Sequence, residues 1–310
     1  MGRDTSTLEV LPPEVPAIRG DRTRPSRQGV LSDYLALTKP GIVIWLLITA
    51  YCAMVVARRG IPDLALTVWT LSGLGLSAGG AHAVNMWYDQ DIDRVMERTK
   101  RRPVASGRIT GRNALTFGMV AGVGSFVLLG VAVNWLAAAS CLAGYVFYIV
   151  VYTMWLKRRT PQNIVIGGAA GAFPPIVGWA AATGHVGFTA WLMFLLIFMW
   201  TPPHFWALAL YKQEDYRRAN IPMMPIVRGA RATKMQSLVY SVLVLAVSLL
   251  IYQTGNVGPV YLVVAVSLGL AFIGYNVALV KEKANPDKWA KSTFQFSLLY
   301  IVALFVAMVV

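Results

Sequence analysis

Nine runs of mostly apolar residues constrain the fold of this 310-residue chain more than any other feature. A helix that crosses a bilayer needs about 20 consecutive, mainly apolar residues. Runs of this kind lie near residues 41–57, 64–87, 114–134, 136–156, 164–183, 188–210, 235–253, 259–280 and 292–310. Charged residues make up only 14% of the chain, whereas about 25% is usual in soluble domains. The sequence therefore predicts an all-α, polytopic membrane protein with nine transmembrane helices.

The N-terminal segment differs from the rest of the chain. Residues 1–30 are polar, rich in Pro, Arg and Ser, and have no apolar core, so we expect a disordered cytoplasmic tail. The segment contains several acids and no long apolar run, which matches neither a mitochondrial transit peptide nor a secretory signal. Residues 31–310 are expected to form one transmembrane domain, and a bacterial inner membrane is its expected location.

The basic residues predict the orientation in the membrane. All but two of the 28 Lys and Arg residues lie in the N-terminal segment or in the loops after predicted helices 2, 4, 6 and 8. The exceptions, Arg58 and Arg59, lie between helices 1 and 2. The positive-inside rule therefore places the N-terminus in the cytoplasm and the C-terminus in the periplasm. The net charge of +14 indicates contact with anionic lipid of the bilayer, and no nucleic-acid partner is expected.

Acidic residues cluster at the predicted cytoplasmic ends of helices 2 and 6. Asn85, Asp89 and Asp93 are spaced i, i+4, i+8, and they share one face if the helix continues past its apolar part. Two aspartates at i, i+4 repel one another unless a cation lies between them. Glu214 and Asp215 form a second acidic pair after helix 6. Mg²⁺ commonly binds one or two carboxylates plus substrate phosphate oxygens, so the two clusters predict a magnesium–diphosphate site.

Basic residues adjacent to these acids suit a diphosphate ligand. They are Arg94, Arg98, Lys100, Arg101 and Arg102 after the first cluster, and Lys157, Arg158 and Arg159 after helix 4. Arg binds phosphate as a planar fork and Lys binds it as a point charge. Two other interpretations stay open. The acids could form a solvated helix face paired with Arg94 and Arg98, and the basic residues could simply contact lipid headgroups.

Predicted helices 5 and 6 contain residues that interrupt helices. These are Gly167, Gly168, Gly171, Pro174 and Pro175 in helix 5, and Pro202 and Pro203 in helix 6. We expect both helices to be kinked and to line a pocket. His204 lies about 16 Å along helix 6 from Asp215, which places it near the middle of the membrane. It could bond to a neighbouring helix, donate a proton, or act as an axial ligand of a metal or haem.

Longer motifs resemble a known family. The pattern Asn85-x3-Asp89-x3-Asp93, with Arg98 and Arg102 after it, resembles the first motif of the UbiA-type intramembrane prenyltransferases. Further segments are similar to the haem-modifying subgroup of that family and lie at 163–175, 200–209, 215–216 and 221–225. The resemblance covers residues 33–310 and implies nine transmembrane helices around a central cavity.

One position departs from the family pattern. Many relatives have a second motif of the form Asp-x3-Asp, whereas this chain has Tyr211 at the first position and retains only Asp215. The resemblance implies that Asn85, Asp89, Asp93 and Asp215 bind Mg²⁺ and carry the catalysis. The implied substrate-binding residues are Arg98, Lys157, Arg158, Tyr211 and His204.

The resemblance also implies a reaction and its partners. The farnesyl group of farnesyl diphosphate would be transferred to a vinyl group of protohaem IX, with addition of water, so haem would be a substrate rather than a cofactor. A haem A synthase or a terminal oxidase assembly would receive the product. Two alternatives are a prenyltransferase acting on a quinone precursor or a chlorophyll-like acceptor, and a secondary transporter. A transporter would normally place its charges near the membrane midplane.

Overall fold

The computed structural model of the chain describes residues 27–282 and 287–310. Within these ranges nine helices are long and apolar enough to cross a membrane, and no strand is present, which confirms the predicted fold class. Most of the predicted disordered tail, residues 1–26, lies outside the described residues. A short helix that was not predicted from the sequence begins at Arg27, three residues before the expected end of that tail.

Long membrane spans make up most of the described structure, and several of them have a short helix next to one end. In chain order they are α1 (Arg27–Leu37), α2 (Pro40–Arg58), α3 (Leu64–Tyr88), α4 (Gln90–Val95), α5 (Gly111–Ala132), α6 (Trp135–Val146) with the π-helix Phe147–Leu156 that continues it, α7 (Asn163–Gly167), α8 (Ala169–Thr183), α9 (Phe188–Tyr211), α10 (Gln213–Arg218), α11 (Met224–Val227), α12 (Gly229–Gln253), α13 (Pro259–Lys281) and α14 (Lys288–Ala307). The helices α3 and α9 stop at the same end of the bundle. This end is called the motif end below, because Asp89 and Asp215 lie there.

Polar side chains fix where three of the spans begin. The Asp63 carboxylate accepts a hydrogen bond from the Leu66 backbone N–H at 3.0 Å, and it caps α3. Thr110 and Asn134 cap α5 and α6 in the same way. Each cap satisfies a backbone donor that has no partner within the helix, so each cap fixes the residue at which its span begins.

Glycines allow the helix backbones to approach one another closely. A Cβ atom on Gly80 of α3 would lie 2.8 Å from the carbonyl oxygen of Gly118 on α5, and the reverse distance would be 2.7 Å. A Cβ on Gly178 of α8 would overlap the carbonyl oxygen of Ala50 on α2. Within lipid, close packing of small residues supplies much of the attraction between helices.

Replacing Gly178 by Ala should therefore destabilise the bundle. The overlapping atom is backbone, which cannot rotate away, so we expect the free energy of unfolding to fall by about 1–3 kcal/mol. Thermal unfolding of the detergent-purified protein measures the change. Gly171→Ala on the same helix is the matched control, because nothing lies within 4 Å of its Cβ position. Equal unfolding temperatures for the two variants would contradict the prediction.

The predicted fifth helix is interrupted, but not at its prolines. The break falls at Gly168, between α7 and α8, whereas Pro174 and Pro175 lie inside α8. A Cβ on Gly168 would lie 2.9 Å from Cβ of Thr201, so α9 packs directly against the break. Pro202 and Pro203 likewise lie inside one continuous helix, α9. Tight packing at a glycine thus decides where the regular helix stops.

Candidate active site

The first acidic motif forms one buried face across a bend in the chain. Asp89 ends α3 and precedes α4, yet the backbone N–H groups of Asp89 and Asp93 still bond four residues back, at 2.9 and 2.8 Å. The predicted i, i+4, i+8 relationship is therefore preserved. Asn85, Asp89 and Asp93 expose only 3%, 0% and 2% of their surface. A solvated helix face would be exposed, so this arrangement excludes that interpretation for the three residues.

Neighbouring helices fix the orientation of Asn85. Its amide nitrogen donates to Asp89 at 2.6 Å and to the hydroxyl of Thr153 in the π-helix at 3.2 Å. Its amide oxygen accepts from Lys39 Nζ at 3.1 Å. Lys39 precedes α2 and has a φ of +51°, a left-handed conformation that is uncommon for residues other than glycine. Neither Lys39 nor Thr153 is among the site residues predicted from the sequence.

Cationic side chains neutralise the two aspartates of this motif. Lys157, directly after the π-helix, forms an ion pair with Oδ2 of Asp89. Arg102 binds both carboxylate oxygens of Asp93, at 2.9 and 2.8 Å. Asp89 Oδ1 is fully enclosed and accepts no hydrogen bond from the described residues. Burial of a carboxylate oxygen that accepts no hydrogen bond is costly, so this atom marks a place where a cation or a donor would be stabilised.

Arg158 links the motif to an acid on its outer side. Its guanidinium forms two 2.7 Å bonds to Asp91 and lies 3.6 Å from Asp89 Oδ1. It also lies over the ring of Tyr88, 5.0 Å from the ring centre. The bonded guanidinium holds the pKa of the Asp91 carboxyl below its usual value. Asp91 thus positions Arg158 beside the buried aspartate without itself lying on the buried face.

The second motif lies beside the first. Asp215 of α10 is buried, and Arg218 lies 3.5 Å from its carboxylate. The adjacent Tyr216 packs in one apolar cluster with Ile92 and Met96 of the first motif region. Glu214 is exposed and pairs with Arg217 on the surface, so only Asp215 of this acidic pair faces inward.

The acids do not form a ready-made metal cage. Within the described ranges, no three His, Cys, Asp or Glu side chains lie close enough together to hold a metal ion. Asp89, Asp93 and Asp215 are instead each paired with Lys or Arg. Mg²⁺ is commonly bound by one or two carboxylates together with water and substrate phosphates. The carboxylate and amide oxygens of the two motifs fit a site of that kind, in which substrate phosphates would supply further ligands.

Two further predicted binding residues lie at the same end. Arg98 is exposed and interacts electrostatically with Tyr152 of the π-helix and with Tyr211 at the end of α9. Tyr211 contacts Phe294 edge to face, with ring centres 6.1 Å apart, and has Lys291 5.8 Å from its ring centre. Arg98 therefore carries positive charge between the two motifs.

The two buried histidines have different surroundings. His204 lies between the rings of Trp200 and Phe294, with centre distances of 4.4 and 4.6 Å. His82 meets the hydroxyl of Tyr148 at 3.3 Å, and its other ring nitrogen is enclosed without a partner among the described residues. The expected bond from His204 to a neighbouring helix is present, because its Nδ1 lies 2.6 Å from the hydroxyl of Ser297 on α14.

Two cavities lie at the opposite end of the bundle from the motif end. Their volumes are about 430 and 440 Å³, and both are lined by residues of the 255–257 connection or its neighbours. The first contains one charged side chain, Arg59, and the second contains none. Neither has a carboxylate, so neither suits magnesium–diphosphate chemistry.

Comparison with known proteins decides the family. Residues 46–299 match the UbiA prenyltransferase family. This chain belongs to that family. A relative from Symbiobacterium thermophilum, named "Protoheme IX farnesyltransferase", is 56% identical over 279 residues, which cover 90% of this chain and 93% of the relative. Seven other curated relatives of the same name are 44 to 48% identical, and the chain spans about half the length of three of them.

Solved structures of UbiA proteins share the fold. A structure described with the biosynthesis of digeranylgeranylglyceryl phosphate synthase in membranes has a TM-score of 0.74 at 19% identity, covering 90% of this chain and 98% of that one. A UbiA homologue from Archaeoglobus fulgidus bound to GPP and Mg²⁺ has a TM-score of 0.61 at 18% identity, covering 89% and 99%. The predicted fold class is thus confirmed, and the chain is a multi-pass membrane prenyltransferase.

Proposed function

We propose that this chain transfers a farnesyl group from farnesyl diphosphate to a vinyl group of protohaem IX, giving haem O and pyrophosphate. The observation that carries the acceptor is the 56% identity, over nearly the full length of both chains, to a relative named for this activity. The two neighbouring acidic motifs with their Lys and Arg partners support the diphosphate donor.

The reaction balances without an oxidant or a reductant. The bond between the farnesyl C1 and the diphosphate oxygen breaks, and its electrons leave with the pyrophosphate. The π electrons of the vinyl group form the new carbon–carbon bond to C1. Water adds to the resulting cation on the porphyrin side and loses a proton, which leaves a hydroxyl group. No side-chain nucleophile is needed.

Asn85, Asp89, Asp93 and Asp215 are the proposed ligands of Mg²⁺. Their support is the shared burial of these residues and the enclosed Oδ1 of Asp89, which accepts no hydrogen bond from the described residues and would gain a closer partner when a cation binds. When bound, Mg²⁺ supplies Lewis-acid stabilisation of the negative charge that develops on the leaving diphosphate.

Lys157, Arg158 and Arg98 are proposed to hold the diphosphate and stabilise it as it leaves. The first two lie against Asp89, so a cation bound to that carboxylate would free them to bind phosphate oxygens. Arg98, which is exposed between the motifs, adds a third positive charge. Preorganised charge of this kind lowers the barrier because it need not be assembled during the reaction.

Lys39 extends this set beyond the sequence-based prediction, and Arg102 is one of the basic residues predicted from the sequence to suit a diphosphate. Lys39 bonds Asn85, and Arg102 holds Asp93 through two hydrogen bonds. Both cations keep the motif in place.

Aromatic residues are proposed to surround the reacting prenyl group. Trp200 and Phe294 stack on His204, and Tyr211, at the motif end of α9, contacts Phe294 edge to face. Ring faces stabilise a carbocation and exclude water that would otherwise capture it early. Tyr211 and His204 are the proposed contacts to the substrates on this side.

The proposed location is a bacterial inner membrane, with the motif end in the cytoplasm and the C-terminus in the periplasm. The concentration of Lys and Arg at that end supports this orientation. A membrane-bound haem A synthase or terminal oxidase assembly is the proposed recipient of the product, because haem O is poorly soluble in water.

An acceptor comparison tests the proposal. Purified protein in detergent receives farnesyl diphosphate and Mg²⁺ with protohaem IX, with a quinone precursor, or with a chlorophyll-like tetrapyrrole, and pyrophosphate release is measured beside product mass. We expect release coupled to prenylation with protohaem IX only. If only another acceptor gave coupled release, the proposed acceptor would be wrong and the prenyltransferase activity would stand. If no acceptor were prenylated, the result would favour the transporter interpretation.

A further inference from the structure

His204 is held on both faces and at one edge by residues of two helices, its own helix α9 and the neighbouring α14. Phe294 of α14 stacks on one ring face, Trp200 stacks on the other, and Ser297 of α14 bonds Nδ1 at 2.6 Å. The indole N–H of Trp200 also donates to the backbone carbonyl of Ser297 at 2.9 Å. The imidazole therefore has one defined orientation, and its remaining free edge carries Nε2.

The hydrogen bonds around Ser297 determine which nitrogen of His204 carries the proton. The Ser297 hydroxyl lies 2.6 Å from the carbonyl oxygen of Phe294, which has no proton to give, so the hydroxyl donates its only proton there. The hydroxyl oxygen must then accept from Nδ1 of His204. A neutral imidazole with its proton on Nδ1 has a bare lone pair on Nε2.

Nε2 of His204 has no hydrogen-bond partner in the described part of the chain, and it is not among the polar atoms that the protein fully encloses there. His82 differs, since its Nε2 is both unpartnered and fully enclosed. Of these two histidines, only His204 has an unpartnered Nε2 that is not fully enclosed.

We propose that Ser297 is a positioning residue that fixes the tautomer and plane of His204, so that Nε2 serves as an axial ligand to the iron of the metalloporphyrin substrate. This inference rests on the proposed function, because it takes haem as the acceptor. A hydrogen bond from Nδ1–H to an oxygen raises the basicity of a metal-bound imidazole and holds its orientation, so losing it typically weakens metal binding about 10- to 100-fold. Phe294 and Trp200 prevent rotation of the ring.

An isosteric pair of variants tests the role of the hydroxyl. Ser297→Thr and Ser297→Val have side chains of nearly the same shape and differ in the oxygen. With full-length protein in detergent, we expect Ser297→Val to bind ferric protohaem about 10-fold more weakly, with an altered Soret band and a raised KM for haem. Ser297→Thr should resemble the wild type, and the KM for farnesyl diphosphate should change in neither variant.

Two controls distinguish the effect of the Ser297 hydroxyl on haem binding from the general effect of replacing a buried side chain. Ser241→Ala on α12 removes a buried serine that makes the same kind of bond, to the Leu238 carbonyl at 2.7 Å, and that bonds no histidine among the described residues. It should leave haem binding unchanged. His204→Ala should abolish the ligand signature in the haem spectrum. If the Thr and Val variants do not fold, Ser297→Ala replaces them.

The possible outcomes distinguish this inference from the proposed function. A haem spectrum that changes in His204→Ala but not in Ser297→Val or Ser297→Ala would overturn the role of Ser297 and leave the function intact. A spectrum unaffected by His204→Ala would overturn iron ligation, even if haem is farnesylated. Failure of the wild-type protein to bind or prenylate haem, while another acceptor is prenylated, would overturn the proposed acceptor and this inference with it.

Discussion

Replacing Asp89 by Asn should lower kcat for farnesyl transfer by at least about 10²- to 10³-fold, the range found when one preorganised electrostatic contact is removed. Asp89 is the most buried acid of the first motif, it is bonded by Asn85 and Lys157, and its Oδ1 accepts no hydrogen bond from the described residues, although Arg158 lies 3.6 Å away. The Asn side chain keeps the shape and removes the charge. Pyrophosphate release measured with saturating farnesyl diphosphate and haem gives kcat directly.

The matched control is Glu97→Gln. Glu97 follows the same motif, but it is exposed and pairs only with Lys100 at the surface, so its loss should leave kcat unchanged. Asp89→Asn also leaves Lys157 without its partner, and the unfolding temperature of both variants must therefore be measured. An Asp89→Asn protein that folds and retains wild-type kcat would show that the first motif does not carry the catalysis.

Removal of divalent metal should abolish the reaction, and added Mg²⁺ should restore it. Diphosphate is a poor leaving group unless its developing charge is neutralised, and in this site the ion pairs to Asp89 and Asp93 occupy Lys157 and Arg102. Without the metal these cations stay on the aspartates. The measurement is pyrophosphate release in a chelator, followed by titration with Mg²⁺.

Haem binding supplies the internal control for this titration. The haem spectrum should not change with chelator, because the proposed iron ligand His204 lies among Trp200, Phe294 and Ser297, away from the acids. Undiminished turnover in excess chelator would mean that Lys and Arg alone stabilise the leaving group, and the proposed metal site would then be wrong.

The parts of the structure that follow from local sequence were predictable. The number of spans follows from the length and apolar character of nine separate runs, and all nine are present among the described residues. The shared face of Asn85, Asp89 and Asp93 follows from helical periodicity, which the backbone bonds of Asp89 and Asp93 preserve across the bend. Both features depend on neighbours within a few residues.

Contacts between distant segments were not predictable in the same way. Lys39 and Thr153 reach Asn85 from 46 and 68 residues away, and Ser297 reaches His204 from 93 residues away. Nothing in the local pattern around these three residues indicates a partner. Their roles become visible only when the packing of α2, the π-helix and α14 against the motif-bearing helices is known.

Two local features were predictable only in part or not at all. The glycines and prolines of the fifth span predicted an interruption, and the regular helix breaks at one of the named glycines, Gly168, which packs closely against Thr201. The named prolines lie inside helices, so the local pattern did not indicate which residue would mark the break. The π-helix over Phe147–Leu156 was not predicted, because it lies in a run that is apolar on all sides and hydrophobic periodicity carries no information about its winding. Thr153 in this π-helix and Lys157 directly after it both contact the motif.

The most direct test of the account is the mass of haem recovered after a single turnover with farnesyl diphosphate and Mg²⁺ in water enriched in oxygen-18. The account predicts a haem that has gained one farnesyl group and one hydroxyl bearing the heavy oxygen, with one pyrophosphate released for each haem converted. Recovery of unchanged haem beside hydrolysed farnesyl diphosphate, or beside a different prenylated acceptor, would contradict it.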